Sequence, residues 1–598
     1  MTIRTTPSPA SSTGRKHPAG GNQILQRSSR NLALSTFVSR FLGFFREILT
    51  ADIIGGGLLM SAWVLASTFA NMCRRILGEG ALGTALVPIL AQSLETEGGK
   101  RAEERFSTVF IWLTFLLAAI TLLVALPACL LAPHVSSPMW NLALRLTPIV
   151  MPYTIFICMV GIMGSFANAL REFFLPSLTA ILQNAVIIAA LFFCCPLFAE
   201  GKDKLSVLAC AVLIAGVLEF LLMYAVLRWK KMRIRLEWKV FSDFSMLRET
   251  WKLAFYGIVG ASALQASLLV DRTIASFLGE YAPAALYNSD RLVYLPIGIF
   301  AMAFGTVSLP EMSRAAARGD HSRMLGMMFF SLRNLLFITI PLAVFMFVFG
   351  EALIRLFFYR GAFGDAALQA TTYAFSFYVL GIPSFAAMKI TLMGFYARKD
   401  MRTPLQVSLF CIVLNVILNL ILMWPLKQGG IALATVLSSL LNNLILLWIL
   451  KKIFRQIPFR STGLLCGKLA AFSILGVLPA YFCFEWMTGL LEKTFPSPAS
   501  AAETELLKKL IDFGIHLIPL FCAGIVFGAV FLAAGLLFRL PETGNFLAHL
   551  PLPRRKKAKA FPEEKEEEYG ERTQNPMPDK RQSNREDVSE EPGMKNQE

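Results

Sequence analysis

The 598-residue sequence is poor in charged residues and lacks the common catalytic motifs. Only 16% of its residues are charged, against roughly 25% in an average soluble domain. It has no P-loop, no GxSxG, no HExxH and no convincing cluster of His and carboxylate residues. These absences argue against an ordinary soluble protein and a hydrolase. No catalytic residue is predicted, and the driving force for any transport would be an ion gradient, the membrane potential or the substrate's own gradient.

Metal-binding and disulfide patterns are also missing. The ten cysteines form no CxxC pair with matching histidines, and the five histidines are scattered. We therefore predict buried free thiols, no metal site and no cofactor. Residues 1–22 are polar and lack the apolar core of a secretory signal.

Long apolar runs dominate the rest of the sequence. Hydrophobic residues make up 55% of the chain, 49 residues are Phe, and the mean hydropathy is +0.57. A helix that crosses a bilayer needs about 20 mainly apolar residues. We predict an all-α polytopic membrane protein with about fourteen transmembrane helices. Their centres lie near residues 40, 75, 120, 158, 187, 216, 261, 298, 337, 383, 414, 440, 476 and 524.

We interpret the net charge of +17 as a result of membrane topology rather than as a sign of a nucleic-acid partner. When successive loops are assigned to alternate sides, one set carries 22 Lys and Arg residues and the other carries 8. The positive-inside rule places the richer set, and both termini, in the cytoplasm. No nucleic-acid partner is predicted.

A weak internal repeat suggests how the helices are grouped. GTALVP at 83–88 recurs as GTVSLP at 305–310, and residues 169–184 resemble residues 397–415. Each pair lies six predicted helices apart, so the copies point the same way across the membrane. We therefore predict two parallel six-helix lobes with two extra C-terminal helices. The predicted domains are a disordered cytoplasmic arm (1–23), an N-lobe (24–230), a C-lobe (231–455), helices 13 and 14 (456–540) and a disordered charged cytoplasmic tail (541–598).

Ionisable residues inside the predicted spans are candidates for a functional site, because an unpaired charge in a bilayer is costly. Guanidinium groups in a partly dry cavity suit a phosphate or pyrophosphate, which they bind bidentately. The alternative is that they form structural ion pairs or extend to the headgroups; Arg75 and Glu79, four residues apart, could pair in this way. The candidates are Arg40, Arg46, Glu47, Arg74, Arg75, Glu79, Asp271, Arg272, Asp290 and Arg291.

Five stretches resemble the MurJ (MviN) family, the bacterial lipid II flippases of the multidrug/oligosaccharidyl-lipid/polysaccharide exporter superfamily. The resemblance runs in order over roughly residues 25–540, and the stretch at 288–314 is the most specific. The stretches are SRFLGFFRE (39–47), RRILGEGALGTALVP (74–88), NSDRLVYLPIGIFAMAFGTVSLPEMSR (288–314), LFFYRGAF (356–363) and FYARKDMRTP (395–404).

The resemblance implies two six-helix lobes around a cationic cavity, with a groove for the undecaprenyl tail formed by the last two helices. It implies movement of lipid II, a disaccharide-pentapeptide on undecaprenyl pyrophosphate, from the cytoplasmic to the periplasmic leaflet. The partners would be lipid II and membrane lipids, and a coupling ion is left open. The family's functional arginines fall on Arg40, Arg46, Arg74 and Arg291, with Ser39, Glu79 and Asp290 in the same motifs. Arg75, Asp271 and Arg272 are predicted to support them.

Three positions depart from the family pattern. Ser61 stands where an acidic residue is usual, Ala70 replaces an expected proline, and Glu47 replaces the commoner aspartate. The missing acid at Ser61 puts in doubt any coupling mechanism that needs a carboxylate there. Other functions remain to be compared: export of another lipid-linked oligosaccharide, ion-coupled drug export, an enzyme acting on polyprenyl phosphates, and a scaffold for cell-wall assembly.

Overall fold

The protein is described by a computed structural model, and the described part of the chain consists entirely of helices and their connections. The contacts divide the chain into two units, Met1–Glu542 and Thr543–Glu598. All contacts discussed below join residues of the first unit. The residues described are 20–78, 80–170, 172, 174–234, 248, 255, 258, 262, 265–454, 459–494 and 505–549.

The first group of helices is packed around α5, which contacts α2, α3, α4 and α7. A π-helical turn, Arg74–Gly78, separates α2 from α3. The helices of this group are α1 (Gly20–Ile54), α2 (Leu58–Cys73), α3 (Ala81–Thr96), α4 (Gly99–Leu131), α5 (Pro138–Ala169), α6 (Phe174–Ala189) and α7 (Gly201–Trp229).

The second group begins after a helical segment at 265–276. The 53-residue helix α13 contains a break at Lys427, where φ is 46° and ψ is −132°, two residues after Pro425. The predicted eleventh and twelfth spans lie on either side of this break. The helices are α8 (Ala282–Ala317), α9 (His321–Val348), α10 (Gly350–Phe358), α11 (Asp365–Val379), α12 (Ile382–Ala397), α13 (Arg402–Phe454), α14 (Phe459–Thr494), α15 (Glu505–Leu537) and α16 (Pro541–His549).

The predicted multi-pass membrane architecture is confirmed, whereas the count of fourteen spans stays a prediction. Within the described residues, eight helices are long and apolar enough to cross a bilayer. A ninth span is obtained if α11 and α12, which meet at a bend of 44°, are counted together. Large apolar side chains such as Leu123 on α4 and Phe482 on α14 lie exposed on outer surfaces, as expected for helices that face lipid.

Aromatic side chains fasten the last two long helices to the second group. Phe345 of α9 packs on Phe527 of α15 at 5.4 Å between ring centroids, and Phe349 packs on Phe484 of α14 at the same distance. Pairs of this geometry add about 0.5–1.5 kcal/mol beyond their buried area. These ring contacts hold α14 and α15 against the end of α9.

The two groups meet along a contact that we call the seam, in which residues 51–61 touch residues 279–284 and 361–367. The backbone N–H of Ala362 donates to the carbonyl of Asp52 at 2.8 Å. Gly361 has a φ of +50°, and a Cβ there would lie 2.2 Å from Oδ1 of Asp52. The seam therefore depends on close backbone approach, and at this position only glycine fits.

Ser61 also belongs to the seam. Its Oγ donates to the carbonyl of Glu280 at 2.5 Å and accepts from the backbone N–H of Ala284 at 3.2 Å. Ala284 is the third residue of α8, and the preceding Tyr281 supplies no side-chain cap. Ser61 thus caps α8 from the other helix group, which gives a structural role to the position where the resemblance leads one to expect an acid.

Candidate functional site

A cavity of about 620 Å³ lies between the two groups of helices. Its wall comes from α1, α2, the π-helical turn, α5, α6 and α7 on one side and from the segment 265–276 and α8 on the other. All four arginines predicted to bind substrate line it, together with Ser39, Arg75 and Arg272. The ionisable groups of the lining are Arg40, Arg46, Glu47, Arg74, Arg75, Tyr153, Arg272, Tyr287 and Arg291.

The π-helical turn explains how two adjacent arginines face one cavity. The turn is wider than an α-helical one because its hydrogen bonds run from residue i to i+5, so consecutive side chains diverge less around the axis. Arg74 is half-buried and Arg75 is exposed, and both contribute to the lining. The turn packs closely on α5, since a Cβ on Gly161 would lie 2.3 Å from the carbonyl oxygen of Gly78.

Glu47 ties Arg46 to Arg291 across the two helix groups. Nη2 of Arg46 lies 2.6 Å from Oε1 of Glu47, and Nε of Arg291 lies 3.6 Å from the same oxygen. The Tyr287 hydroxyl donates to this buried carboxylate, with both oxygens at 3.1 Å, and accepts from Nη2 of Arg291 at 2.9 Å. The guanidinium of Arg291 also lies over the Tyr287 ring, 4.6 Å from its centroid. The lone carboxylate of the lining is therefore already shared between two arginines.

Two further arginines make contacts across the groups. Nη1 of Arg40 on α1 donates to the carbonyl of Gly298 on α8 at 2.8 Å. Nη1 of Arg272 donates to Oγ1 of Thr68 on α2 at 2.7 Å, and its guanidinium lies 5.5 Å from the centroid of the Tyr287 ring. The site is thus held together by side chains from both groups, so a relative movement of the groups would rearrange it.

Of the predicted acidic residues that the structure describes, Glu47 lines the cavity, whereas Asp271 and Asp290 do not. Asp271 is buried and accepts from Nδ2 of Asn419 on α13 at 2.6 Å, so it points away from its neighbour Arg272. Asp290 is half-buried and contributes nothing to the lining, and Glu79 lies outside the described residues. Among the described residues, no group of three His, Cys, Asp or Glu side chains could hold a metal.

Several side chains of the cavity lining were not predicted from the sequence, because they are neutral. Tyr287 is the most important, and its position four residues before Arg291 was a usable signal, since such pairs meet on a helix. The amide side chains that line the cavity suit the hydroxyl and amide groups of a glycopeptide. They are Asn71, Gln183, Asn184 and Gln265.

Comparison with known proteins agrees with this architecture. The profile of the family described as "Lipid II flippase MurJ" matches residues 50–498. A probable lipid II flippase MurJ of Rhizobium tropici is 31% identical over 67% of this chain and 76% of the relative. The corresponding protein of Vibrio cholerae is 27% identical over 69% of this chain and 81% of the relative.

Solved structures show the same fold. A lipid II flippase MurJ in an inward closed conformation matches with a TM-score of 0.66 and 23% identity, over 85% of this chain and 98% of that one. An inward-facing multidrug resistance transporter of the MATE family matches with a TM-score of 0.56 and 13% identity, over 70% and 97%. The family profile covers most of the chain, and the arginine motifs lie around one cavity in a matching fold. The chain belongs to the MurJ family of lipid II flippases.

Proposed function

We propose that the chain carries lipid II from the cytoplasmic to the periplasmic leaflet of the bacterial inner membrane for cell-wall synthesis. The observation that carries this proposal is the cavity lining, in which six arginines and one glutamate come from both helix groups. Paired guanidinium groups suit a pyrophosphate because their fork geometry matches its oxygens. The activity named for the relatives supports the same substrate.

In this mechanism the pyrophosphate binds Arg40, Arg46, Arg74 and Arg291, and the neutral polar residues of the lining bind the sugars and peptide. Alternating access then moves one helix group against the other. Because Arg46 and Arg291 share Glu47 across the groups, such a movement changes how strongly each arginine is neutralised. A weaker hold on the pyrophosphate in the outward state would release the head group, as a population shift requires.

In this proposal the protein has two lobes, residues 24–230 and residues 231–455. Residues 456–540 form the groove for the lipid tail. Exposed apolar side chains such as Phe482 and Trp486 on α14 and Phe521 on α15 support a surface for an isoprenoid chain. We place both termini in the cytoplasm, which puts the seam on the periplasmic side. A coupling ion stays a prediction.

The other transport functions are less well supported. A cationic drug would be repelled by a lining that has six arginines and one glutamate among the described residues, so drug export is disfavoured. Another lipid-linked oligosaccharide would carry the same pyrophosphate and must be distinguished by experiment.

The test is the leaflet accessibility of lipid II in cells depleted of this protein. A periplasmic enzyme that cleaves only outward-facing lipid II serves as the probe. We expect cleavage to collapse while total lipid II rises, and we expect wild type but not Arg74→Ala to restore it.

The matched control is Arg145→Ala, because Arg145 is an exposed arginine on α5 that donates to Asn141 and lies outside the cavity lining. It should restore cleavage as wild type does. Full cleavage of lipid II in depleted cells would contradict lipid II as the substrate.

A further inference from the structure

The arginines of the cavity differ in how their charge is balanced. Arg46 and Arg291 share the carboxylate of Glu47. Arg75 and Arg272 also line the cavity, yet neither makes an ion pair within the described part of the chain. The contacts of Arg272 are with neutral groups, the hydroxyl of Thr68 and the ring of Tyr287, and Arg75 is exposed to the cavity. Asp290, which acts electrostatically on both arginines, lies outside the cavity lining. Within the described residues, neither guanidinium group therefore has a carboxylate in contact with it on the cavity side.

Arg75 and Arg272 lie along one wall of the cavity. Thr68, which accepts from Arg272, precedes Arg75 by seven residues, or about two helical turns. Thr68 and Arg75 both line the cavity, so they lie on the same face of α2 and its π-helical extension. An extended anionic group can therefore contact the guanidinium groups of Arg75 and Arg272. Alternatively, each guanidinium group can bind one oxygen of that anionic group.

The charge of the lining exceeds what a pyrophosphate can neutralise. Among the residues that the structure describes, the lining contains six arginines, one glutamate and no other charged side chain. A pyrophosphate that links a lipid to a sugar carries one negative charge on each phosphate. Leaving guanidinium groups without counter-charge in a membrane cavity is costly. The substrate is therefore expected to bring a further anionic group.

Resting on the function proposed above, we propose that Arg75 and Arg272 form a second anion subsite that binds a carboxylate of the peptide stem. The site then selects stems with free carboxylates over amidated stems. A carboxylate accepts two parallel N–H bonds from a guanidinium, whereas a primary amide turns N–H donors toward N–H donors.

Neighbouring amide side chains fit a peptide at this wall. Asn71 lies one turn before Arg75 and lines the cavity; its Nδ2 donates to the carbonyl of Ser67 at 2.9 Å, and its Oδ1 remains an acceptor. Gln265 lies two turns before Arg272 and also lines the cavity. Both can pair with the peptide groups of a stem whose carboxylate sits between the arginines.

The test measures competition binding to the purified full-length chain in detergent, with a fluorescent lipid II as the displaced probe. The competitors are undecaprenyl pyrophosphate, lipid II with free stem carboxylates, and lipid II with amidated stem carboxylates. We expect wild type to prefer the free stem over the amidated stem by about tenfold, the effect of one charge-assisted hydrogen bond. Arg75→Gln and Arg272→Gln should each bring this ratio close to one, and each should weaken binding of lipid II with free stem carboxylates more than binding of undecaprenyl pyrophosphate.

Three control variants separate charge from structure. Arg75→Lys keeps the charge and should keep most of the preference. Thr68→Val removes the acceptor of Arg272 but leaves its guanidinium, so the preference should also persist. Arg145→Gln, outside the cavity, should behave as wild type in every arm.

Equal affinity of wild type for the free and the amidated stem would overturn the subsite. An equal loss of affinity for all three competitors in Arg75→Gln would also overturn it, because Arg75 would then be a pyrophosphate ligand. Loss of the preference in Thr68→Val would show that Arg272 acts through its helix contact, and would also overturn it. Failure of wild type to bind any of the three ligands would instead contradict the proposed function itself.

Discussion

The cavity and the seam join the same two helix groups by different means. In the cavity the contacts are made by long charged side chains, as in the Arg46–Glu47–Arg291 cluster. In the seam they are made by backbone groups and small residues, as in the bond from Ala362 to Asp52. The function of the cavity should therefore depend on charge, and that of the seam on shape.

This difference suggests how the two regions respond to movement. Long arginine side chains can keep a contact while the helices shift, because their rotamers adjust. A backbone bond beside a residue at φ +50° has little such freedom. The seam is therefore expected to open and close as a unit, whereas the cavity rearranges gradually. Each substitution below alters one of the two regions, by a change of charge or hydrogen bonding in the cavity or by a change of shape or hydrogen bonding in the seam.

Removing a charge from the cavity should have the largest effect. Arg291→Ala deletes a half-buried guanidinium that contacts Glu47 and Tyr287, and it leaves Arg46 as the ion-pair partner of the buried Glu47. We expect loss of complementation in depleted cells with normal protein levels in the membrane, measured by growth and immunoblot. Full complementation by this variant would remove Arg291 from the substrate site.

Adding one carbon to the seam should have the next largest effect. In Gly361→Ala the new Cβ would lie 2.2 Å from Oδ1 of Asp52, at a φ of +50°, which costs about 1–3 kcal/mol through backbone strain alone. We expect reduced lipid II translocation and a lower midpoint of thermal unfolding in detergent. Gly364→Ala is the matched control, because a Cβ there meets nothing within 4 Å and its φ is −82°. Equal behaviour of the two variants would contradict the role of close approach.

The charged part of the site could be predicted from the sequence. An arginine inside an apolar span has few stable places other than a wet cavity or a helix end, and Arg40, Arg46, Arg74 and Arg291 all line one cavity. Their role in binding stays a prediction. The apolar runs and the alternating loop charge likewise led to the membrane architecture, because both follow from the bilayer itself.

The remaining features depend on tertiary packing. Tyr287 meets Glu47 across 240 positions and Thr68 meets Arg272 across 204, and the sequence carries no signal for either of these long-range contacts. The pair of Arg75 and Glu79 stays a prediction, because Glu79 lies outside the described residues; the π-helical turn at residues 74–78 had no signal in the sequence. Adjacent residues also diverged, since Arg272 faces the cavity and Asp271 faces Asn419.

A neutral change in the cavity should have a smaller effect than loss of an arginine. Tyr287→Phe removes the hydroxyl that contacts Glu47 and Arg291. It keeps the ring that lies beside Arg272 and Arg291. Hydrogen bonds to charged groups are worth about 1.5–3 kcal/mol, so we expect lipid II translocation to fall by roughly tenfold. Tyr373→Phe is the control, because Tyr373 is exposed and packs on Phe377 through its ring. If the two variants are equally active, the hydroxyl does not hold the cluster.

The smallest effect is expected at Ser61, where the seam uses one hydroxyl to cap a helix. Ser61→Ala removes the acceptor for the Ala284 N–H and the donor to Glu280, which should cost about 1 kcal/mol, the usual value of an N-cap. Ser61→Asp keeps the acceptor and adds a negative charge at the positive end of α8, but it loses the donor. We therefore expect Asp to restore most of the thermal stability that Ala loses, measured against Ser206→Ala, a serine that bonds only within α7. If Ser61→Asp destabilises the protein more than Ser61→Ala does, the hydrogen bond donated to Glu280 contributes more to stability than the helix cap. In that case the shape of the seam matters more than its charge at this position too.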